Sequence, residues 1–301
     1  SPKVIIKAFQ DVRPRLILAV PLILEKIYRK QVKPMIQKGT VRTLLKTPGI
    51  SALVRKKIYR SLRTAFGDRF IEIIVGGAAL NEEVESFFRK IGFEVTIGYG
   101  MTECGPLISY ARHSETRPHS VGKTINYLES RIDRPDPETG IGEICVRGEN
   151  VMEGYYKNEE ATTEALDSDG WLHTGDLGMK DVDGFLFIRG RSKSLILGPS
   201  GQNIYPEEIE AQLNYMPFVA ESLVVEDNGV LVALVYPDMD QVEESGLSED
   251  DLLKKLEANR SKLNEDLPAY SKIVRIKLYP REFEKTPSRK IKRFLYTILS
   301  A

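Results

Sequence analysis

The segment from residue 70 to residue 100 constrains the fold of this chain most strongly. Residues 71–75 form a short apolar run that ends in two glycines, and residues 93–97 form a second run that ends in Gly98-Tyr99-Gly100. Between the runs lies Asn81, followed by two acids. Asn caps free helix N–H groups and acids complement the helix dipole, so a helix is expected to begin there. The order strand, glycine turn, helix, strand predicts an α/β unit.

The segment before this unit is rich in basic residues and is predicted to be helical over residues 1–66, with Leu53, Ile58 and Leu62 near helical spacing. Residues 1–63 carry sixteen Lys and Arg against two acids, although the whole chain of 301 residues has 43 of each sign. A solvated helix face is the favoured explanation of this asymmetry, and an anionic partner, either a membrane, a nucleic acid or a phosphate ligand, is the alternative.

The second half of the chain changes character twice. From about residue 120 it is rich in predicted strands separated by turns such as Asp183-Gly184. After residue 191, Pro206 is predicted to begin a helix, Asn228-Gly229 a hairpin turn, and Ser248 a long helix with a capping box. The predicted fold is therefore an α/β large-domain portion over residues 1–191, a sheet with helices plus a small β-rich subdomain. A small α+β C-terminal domain is predicted over residues 192–301.

Composition and spacing exclude several classes of protein and site. With 42% apolar and 29% charged residues the chain is neither disordered nor fibrous. Its longest apolar stretch, residues 16–24, is short of the ~20 residues of a membrane span. Two cysteines make neither a disulfide framework nor a four-ligand zinc site, which favours a reducing, cytoplasmic setting. Gly122-Lys123-Thr124 is not a P-loop, because Arg117 stands where the first glycine is needed.

Polar, glycine-bearing strings stand at the predicted ends of elements, where α/β enzymes place ligand-binding groups. In chain order they are residues 76–80 (Gly-Gly-Ala-Ala-Leu), 98–103 (Gly-Tyr-Gly-Met-Thr-Glu), 142–148 (Gly-Glu-Ile-Cys-Val-Arg-Gly), 154–156 (Gly-Tyr-Tyr), 171–176 (Trp-Leu-His-Thr-Gly-Asp), 190–193 (Gly-Arg-Ser-Lys), 203–210 (Asn-Ile-Tyr-Pro-Glu-Glu-Ile-Glu) and 286–291 (Thr-Pro-Ser-Arg-Lys-Ile). In this order and at these separations they closely resemble the AMP-forming acyl-coenzyme A synthetases of the adenylate-forming superfamily. The strings at 98–103 and 286–291 look most like the long-chain fatty-acid branch.

The resemblance covers nearly the whole chain and implies a nucleotide site. The positions it assigns to nucleotide binding are Gly76, Gly77, Ala78, Gly98, Tyr99, Gly100, Met101, Asp176, Ile188 and Arg191. Glycines let the nucleotide approach the backbone, and the ring of Tyr99 offers a surface for adenine, with a packed core tyrosine as the alternative. Asp176 is implied as the acceptor for both ribose hydroxyls, and Arg191 as a second ribose or phosphate contact.

The resemblance also implies catalytic positions. Thr102 would hydrogen-bond the α-phosphate, and Glu103 is a hard oxygen ligand suited to Mg²⁺. The ammonium of Lys290 would stabilise the charge that develops as a carboxylate attacks ATP. Lys193 falls at the family's hinge, and Gly201 corresponds to the glycine that lines the coenzyme A channel.

Three departures from the family's pattern qualify these assignments. Arg289 precedes Lys290 where many relatives have glycine, and Ile97 stands where many have a polar side chain. The Ser/Thr/Gly-rich phosphate loop that ends in Pro-Lys-Gly is absent from the sequence. We therefore expect the chain to be the C-terminal portion of a longer ligase, inactive alone.

The function that the resemblance implies has two steps. A fatty acid and ATP with Mg²⁺ give acyl-adenylate and pyrophosphate, and coenzyme A as co-substrate then displaces AMP. The alternatives are an adenylation domain that loads a carrier protein and a non-catalytic nucleotide-binding or membrane-docking module. No nucleic-acid motif accompanies the basic residues. Residues 1–63 have two candidate partners, the acidic segment 207–266, with sixteen acids against four basic residues, and anionic lipid at the periphery of a membrane. Acyl-chain length and oligomeric state stay open.

Overall fold

The computed structural model describes residues 2–47, 50–199, 201–286 and 290–296. The chain forms two compact units. Unit 1 comprises Ser1–Thr174 and Gly178–Ile188, and unit 2 comprises Gly175–Leu177 and Arg189–Ala301. Each unit is described by itself below.

Unit 1 contains seven labelled helices among its described residues: α1 Pro2–Val12, α2 Pro21–Ile27, α3 Lys33–Gln37, α4 Gly39–Lys46, α5 Ile50–Ala65, α6 Glu82–Lys90 and α7 Glu159–Ala165. A π-helical turn, Tyr28–Val32, joins α2 to α3. Its strands are β1 Leu16–Ala19, β2 Glu72–Val75, β3 Val95–Ile97, β4 Tyr99–Gly100, β5 Leu107–Tyr110, β6 Lys123–Thr124, β7 Leu128–Asp133 and β8 Gly142–Gly148. Strands β9 Leu172–Lys180 and β10 Leu186–Arg191 pass from unit 1 into unit 2. Because the two units divide β9 and β10 between them, the domain boundary at residues 191 and 192 stays a prediction.

The predicted α/β unit is confirmed as a three-stranded parallel sheet in the order β1-β2-β3. Ala19 pairs with Val75, and Val75 pairs with Ile97, so the three strands end side by side. Helix α6 connects β2 to β3 and begins as predicted. The side chain of Asn81 accepts hydrogen bonds from the backbone N–H groups of Glu83 and Val84.

The predicted helix over residues 1–66 is wrong at Leu16–Ala19, which forms β1. An entirely apolar run hides the period of two that marks a strand, so its sequence cannot distinguish a strand from a helix. Pairing with β2 decides the outcome. Ile17 is buried, whereas Leu16 and Leu18 on the other face are 54% and 75% exposed. β1 stands at the edge of its sheet, with β2 on one side and no other described strand beyond it.

The strand-rich region is also confirmed. Strands β4, β5 and β6 form an antiparallel sheet, and a second sheet has the order β10-β9-β8-β7. Its inner face contributes Ile144, Val146, Leu172 and Leu186 to the core. The only helix described between residues 120 and 191 is α7, which has seven residues.

Unit 2 continues with β11 Ile196–Leu197, β12 Asn203–Ile204, α8 Pro206–Leu213, β13 Val219–Asp227, β14 Val230–Pro237, α9 Met239–Ser245, α10 Glu249–Asp266 and β15 Ile273–Leu278. Strands β13 and β14 form the antiparallel hairpin predicted from Asn228-Gly229, and β15 pairs parallel to β14. The cap of α10 is also as predicted, because Ser248 Oγ accepts a hydrogen bond from Asp251 N–H. These features confirm the predicted fold class, an α/β portion followed by a small α+β domain.

The sheet β13-β14-β15 is covered on both faces. Apolar residues of α8 and α10, among them Leu213 and Leu256, pack on one face. Phe283 and Tyr296 from the C-terminal segment pack against Leu223, Val225, Val232 and Leu234. None of the described helices is both long enough and apolar enough to cross a membrane.

Candidate functional site

The glycines after β2 and β3 meet at the carboxyl edge of the parallel sheet. Gly76 N–H donates to Ala19 O at 3.1 Å, and Gly98 N–H donates to Val75 O at 2.8 Å. A Cβ atom on Gly76 would lie 3.2 Å from Gly98 O, so the close approach of these two backbones favours glycine. Gly77 has φ +86°, a left-handed conformation suited to glycine, and Gly77 and Ala78 are exposed. The structure thus brings four predicted nucleotide-binding residues to one edge.

Tyr99, Met101 and Ile188 contribute to a hydrophobic cluster. Tyr99 is 7% exposed and packs in the cluster that contains Cys104, while Met101 and Ile188 pack against that cluster from outside. The packed-core alternative therefore describes the ring of Tyr99 in this structure, and its adenine contact stays a prediction.

The residue type at position 100 is constrained by the backbone of the neighbouring chain segment across the β4-β5 pair. A Cβ atom at this position would lie 1.9 Å from Pro106 O, and backbone cannot move aside as a flexible side chain can. Only glycine therefore fits here without displacing the chain.

Thr102 and Glu103 follow directly, in a 3₁₀ turn that spans Thr102–Cys104. Thr102 is exposed. Tyr155 O–H donates to Glu103 Oε1 at 2.9 Å, and Met152 N–H donates to Glu103 O at 2.8 Å. The loop that carries Tyr155 therefore holds Glu103 through both its side chain and its backbone. Sequence reasoning singled out the string 154–156 but gave Tyr155 no role, because a contact across 52 residues leaves no local pattern.

Asp176 and Arg191 face each other in unit 2. Arg191 Nε donates to Asp176 Oδ1 at 2.8 Å, and the side chain of Arg191 is 46% exposed whereas that of Asp176 is 14% exposed. Ser192, in the turn that follows β10, donates through Oγ to Gly175 O of β9 at 3.2 Å. The two residues predicted to contact ribose are thus adjacent, and the guanidinium fixes one carboxylate oxygen.

Three further predicted residues of unit 2 lie on exposed turns. Lys193 is in the 3₁₀ turn Ser192–Ser194, and Gly201 has φ +83° in the loop between β11 and β12. Lys290 is exposed and pairs through its backbone with Thr286. Residues 287–289, including Arg289, lie outside the described residues. Within the described part of the chain, no hydrogen bond or ion pair joins Lys193, Gly201 and Lys290 to one another.

Glu143, Cys145 and His173 form a group that the sequence analysis does not predict. His173 Nδ1 lies 3.0 Å from Glu143 Oε2 and 3.4 Å from Cys145 Sγ. Glu143 and Cys145 are two residues apart on β8, so their side chains point to the same face of the sheet. His173 lies on β9, the strand next to β8. The proximity of these three side chains depends on how the two strands pair, so the spacing of the residues along the chain could not predict it.

Two family models match the chain. One described as "AMP-binding enzyme" matches residues 1–156, half of the chain, and one described as "AMP-binding enzyme C-terminal domain" matches residues 193–296. The chain belongs to the AMP-binding enzyme family. This confirms the resemblance that the glycine-bearing strings predicted.

Two curated relatives of this AMP-binding enzyme are named long-chain-fatty-acid–CoA ligases. ACSBG2 of Gallus gallus is 34% identical over 253 residues, covering 77% of this chain and 33% of the relative. FadD15 of Mycobacterium bovis is 30% identical over 321 residues, covering 93% of this chain and 52% of the relative. The chain therefore spans about a third to a half of the length of these relatives.

Solved structures give the same fold. The O-succinylbenzoate coenzyme A synthetase of Bacillus subtilis, in complex with ATP and magnesium ion, is 26% identical with a TM-score of 0.70. The match covers 98% of this chain and 54% of that one. ATP-bound MatB from Rhodopseudomonas palustris is 25% identical with a TM-score of 0.66, over 99% of this chain and 52% of that one.

Replacing Gly100 with alanine should destabilise the protein, because the new Cβ atom would overlap Pro106 O. We expect a loss of about 1–3 kcal/mol, the usual cost of overpacking, and a lower midpoint in thermal unfolding followed by circular dichroism. Gly39→Ala is the matched control, since no heavy atom lies within 4 Å of its added Cβ. Equal midpoints for the two variants would contradict the expectation.

The two buried cysteines should react slowly with thiol reagents. Burial, together with the charge of Glu103, raises the pKa of Cys104 to about 11, and burial with the charges of Glu143 and Asp133 raises the pKa of Cys145 to about 12. At pH 8 both groups hold less thiolate than an exposed cysteine, whose pKa is about 8.5. Ellman's reagent should label neither thiol rapidly in the folded protein and both in denaturant. Rapid labelling of the folded protein would overturn this expectation.

Proposed function

We propose that this chain is the C-terminal portion of an ATP-dependent fatty acid–coenzyme A ligase. The observation that carries the proposal is the carboxyl edge of the parallel sheet, where the close-packed backbones of Gly76 and Gly98 lead into the exposed Thr102 and the anchored Glu103. Open α/β sheets bind ligands at this edge. The names of the relatives support a long-chain fatty acid as the substrate.

In unit 1, the proposed roles concern the phosphates of ATP. The hydroxyl of Thr102 would donate to the α-phosphate, and the carboxylate of Glu103 would hold Mg²⁺, which prefers carboxylate and phosphate oxygens. The donor set fits the ion, because Glu103 is a hard ligand whose orientation Tyr155 fixes. Bound magnesium would neutralise charge on the phosphates. The glycines at 76, 77, 98 and 100 would let the nucleotide approach the backbone.

In unit 2, Asp176 would accept hydrogen bonds from the ribose hydroxyls. Arg191 orients the carboxylate of Asp176 for this role, because its guanidinium donates to Oδ1 and carries a permanent positive charge. We propose that the ammonium of Lys290 stabilises the charge on the phosphoryl and carboxyl oxygens as the fatty acid attacks the α-phosphate. The products of this half-reaction are acyl-adenylate and pyrophosphate.

The second half-reaction transfers the acyl group to the thiol of coenzyme A and releases AMP. We assign Gly201 to the pantetheine channel, since its open left-handed turn offers backbone without a side chain. Lys193 is proposed as the hinge at which a small domain beginning near residue 192 would turn between the half-reactions.

Two alternative functions would give different results in assays of the two half-reactions. A carrier-protein-loading adenylation domain would form the adenylate but would not transfer the acyl group to coenzyme A. A non-catalytic module would bind nucleotide and form no adenylate.

Lys290→Ala in the full-length ligase should abolish most adenylate formation, measured as pyrophosphate released from ATP and fatty acid. We expect a loss of about 10²-fold or more, the scale found when a preorganised charge partner is removed from a transition state. Lys272→Ala, which removes another exposed ammonium of unit 2, is the matched control and should keep wild-type rates. Unchanged adenylation in the Lys290 variant would favour the non-catalytic module.

We also propose that the basic helices contact anionic lipid. On α5, Lys56, Lys57 and Arg60 are exposed beside Leu53, whose exposed fraction is 69%. A basic face with an exposed apolar side chain suits a negatively charged membrane surface, where each basic residue contributes about 1 kcal/mol.

Sedimentation with liposomes tests the lipid contact. The protein should bind vesicles with anionic lipid more than neutral vesicles, and the double variant Lys56→Glu/Lys57→Glu should lose most of that preference. Lys254→Glu/Lys255→Glu on exposed positions of α10 makes the same charge change elsewhere and should keep it. Equal binding to both kinds of vesicle would identify α5 as an ordinary solvated helix.

A further inference from the structure

The segment that carries Lys290 is closed at its base by backbone hydrogen bonds. Thr286 N–H donates to Lys290 O at 2.8 Å, and Lys290 N–H donates to Thr286 Oγ1 at 3.1 Å. Lys285 pairs with Ile291 as an antiparallel bridge, and Lys292 N–H donates to Glu284 O at 2.8 Å. The backbone of Lys290 is therefore fixed relative to the two chain segments that flank it, although its side chain is exposed.

Arg293, three residues after Lys290, fastens this segment to the body of unit 2. Its Nη2 donates to Glu210 Oε2 at 2.6 Å, and its Nη1 donates to Val224 O at 3.0 Å. Glu210 Oε1 in turn accepts from Val224 N–H at 2.6 Å. This ion pair joins the Lys290 segment to α8 and to β13. Two further ion pairs support it, Arg293 with Glu207 of α8 at 3.8 Å and Lys285 with Glu221 of β13 at 2.5 Å.

The site of this ion pair is the outer side of an edge strand. β13 has β14 on one side and no described strand on the other. The N–H and C=O groups of Val224 would otherwise face out of the sheet unpaired, and Glu210 and Arg293 supply one acceptor and one donor to them. The pair therefore provides Val224 with the hydrogen bonds that a neighbouring strand would provide. One of these bonds comes from Arg293, a residue of the Lys290 segment.

Burial makes the geometry of this pair demanding. The side chains of Arg293 and Glu210 are 18% and 10% exposed. Burial raises the pKa of Glu210 to about 7, against the opposing attraction of Arg293, and the charge of Glu210 raises the pKa of Arg293. A buried carboxylate needs its partners to stay in place, so the guanidinium cannot shift without losing both contacts.

The other side of the loop is anchored by packing. Phe283 and Tyr296 are buried, with ring centroids 5.2 Å apart, and Glu284 N–H donates to Tyr296 O–H at 2.7 Å. The loop base thus has an aromatic anchor as well as an ionic one. Only the ionic anchor can be altered without opening a cavity in the core.

We propose that the ion pair Glu210–Arg293 positions Lys290 for adenylation. Arg293 is a positioning residue, because it touches the segment that carries Lys290 and, in the described residues, not Lys290 itself. The proposal rests on the proposed function of Lys290 and deepens it. It implies that the first half-reaction depends on this pair and that the second, in which Lys290 has no part, does not.

The test compares both half-reactions in the full-length ligase carrying Arg293→Lys. Lysine keeps the positive charge but cannot contact Glu210 and Val224 together, because its single ammonium lacks the planar fork of arginine. We expect the kcat of adenylation to fall about 10- to 100-fold, the scale of a small misplacement of a catalytic group. The rate at which supplied acyl-adenylate and coenzyme A give acyl-coenzyme A should be unchanged. In Lys290→Ala, adding Arg293→Lys should cause no further loss of adenylation.

Arg275→Lys is the matched control. Arg275 pairs with Asp227 in the same unit, is 49% exposed and makes no hydrogen bond or ion pair with the described residues of the segment 284–296, so both half-reactions should keep wild-type rates. If Arg293→Lys does not fold, as judged by circular dichroism, Glu210→Gln replaces it with the same expectations.

The outcomes separate the two proposals. Equal losses in both half-reactions, or a further loss in the double variant, would show a general structural role and overturn the positioning role. Wild-type adenylation in Arg293→Lys would also overturn it, while leaving the role of Lys290 intact. Wild-type adenylation in Lys290→Ala would instead refute the proposed function itself.

Discussion

The in-register pairing of three short parallel strands is the constraint on which the candidate site of unit 1 depends. Because Ala19, Val75 and Ile97 share one register, the residues that follow β2 and β3 emerge at the same edge. Where β2 ends, the close approach of the backbone of Gly98 favours glycine at 76, and further on the β4-β5 pair leaves no room for a Cβ atom at Gly100. The 3₁₀ turn with Thr102 and Glu103 then begins from a fixed position.

In unit 2 the question is how the structure holds Lys290, the proposed catalytic lysine, on an exposed loop. The sheet of unit 2 is packed by helices on one face and by the C-terminal segment on the other. The segment is therefore part of the core on both sides of the loop, through Phe283 before it and Tyr296 after it. This arrangement lets the ammonium of Lys290 stay in solvent while its backbone is held by structure.

Local chemistry was enough to predict much of this fold. The cap at Asn81, the hairpin turn at Asn228-Gly229 and the cap at Ser248 depend on residues within a few positions of one another, and all three are confirmed. β1 was missed because its run of apolar residues has no visible period, and only its partner strand makes it extended.

The contacts that orient the candidate site residues could not be predicted in the same way. Tyr155 reaches Glu103 across 52 residues, and Arg293 reaches Glu210 across 83. Such pairs depend on how whole elements pack, so the sequence predicts neither the partner of Tyr155, although its string 154–156 is conspicuous, nor that of Arg293. Sequence motifs predict the candidate site residues, but the packing of the elements determines which side chains keep those residues in place.

The open side of β1 has a physical consequence for the chain as described. Its outward N–H and C=O groups form an unpaired ladder, and the exposed Leu16 and Leu18 add apolar surface beside it. Edge strands with these properties act as templates for intermolecular β-pairing. We therefore expect a preparation in which this edge is uncovered to self-associate through added strands, over a ladder limited to the four residues of β1.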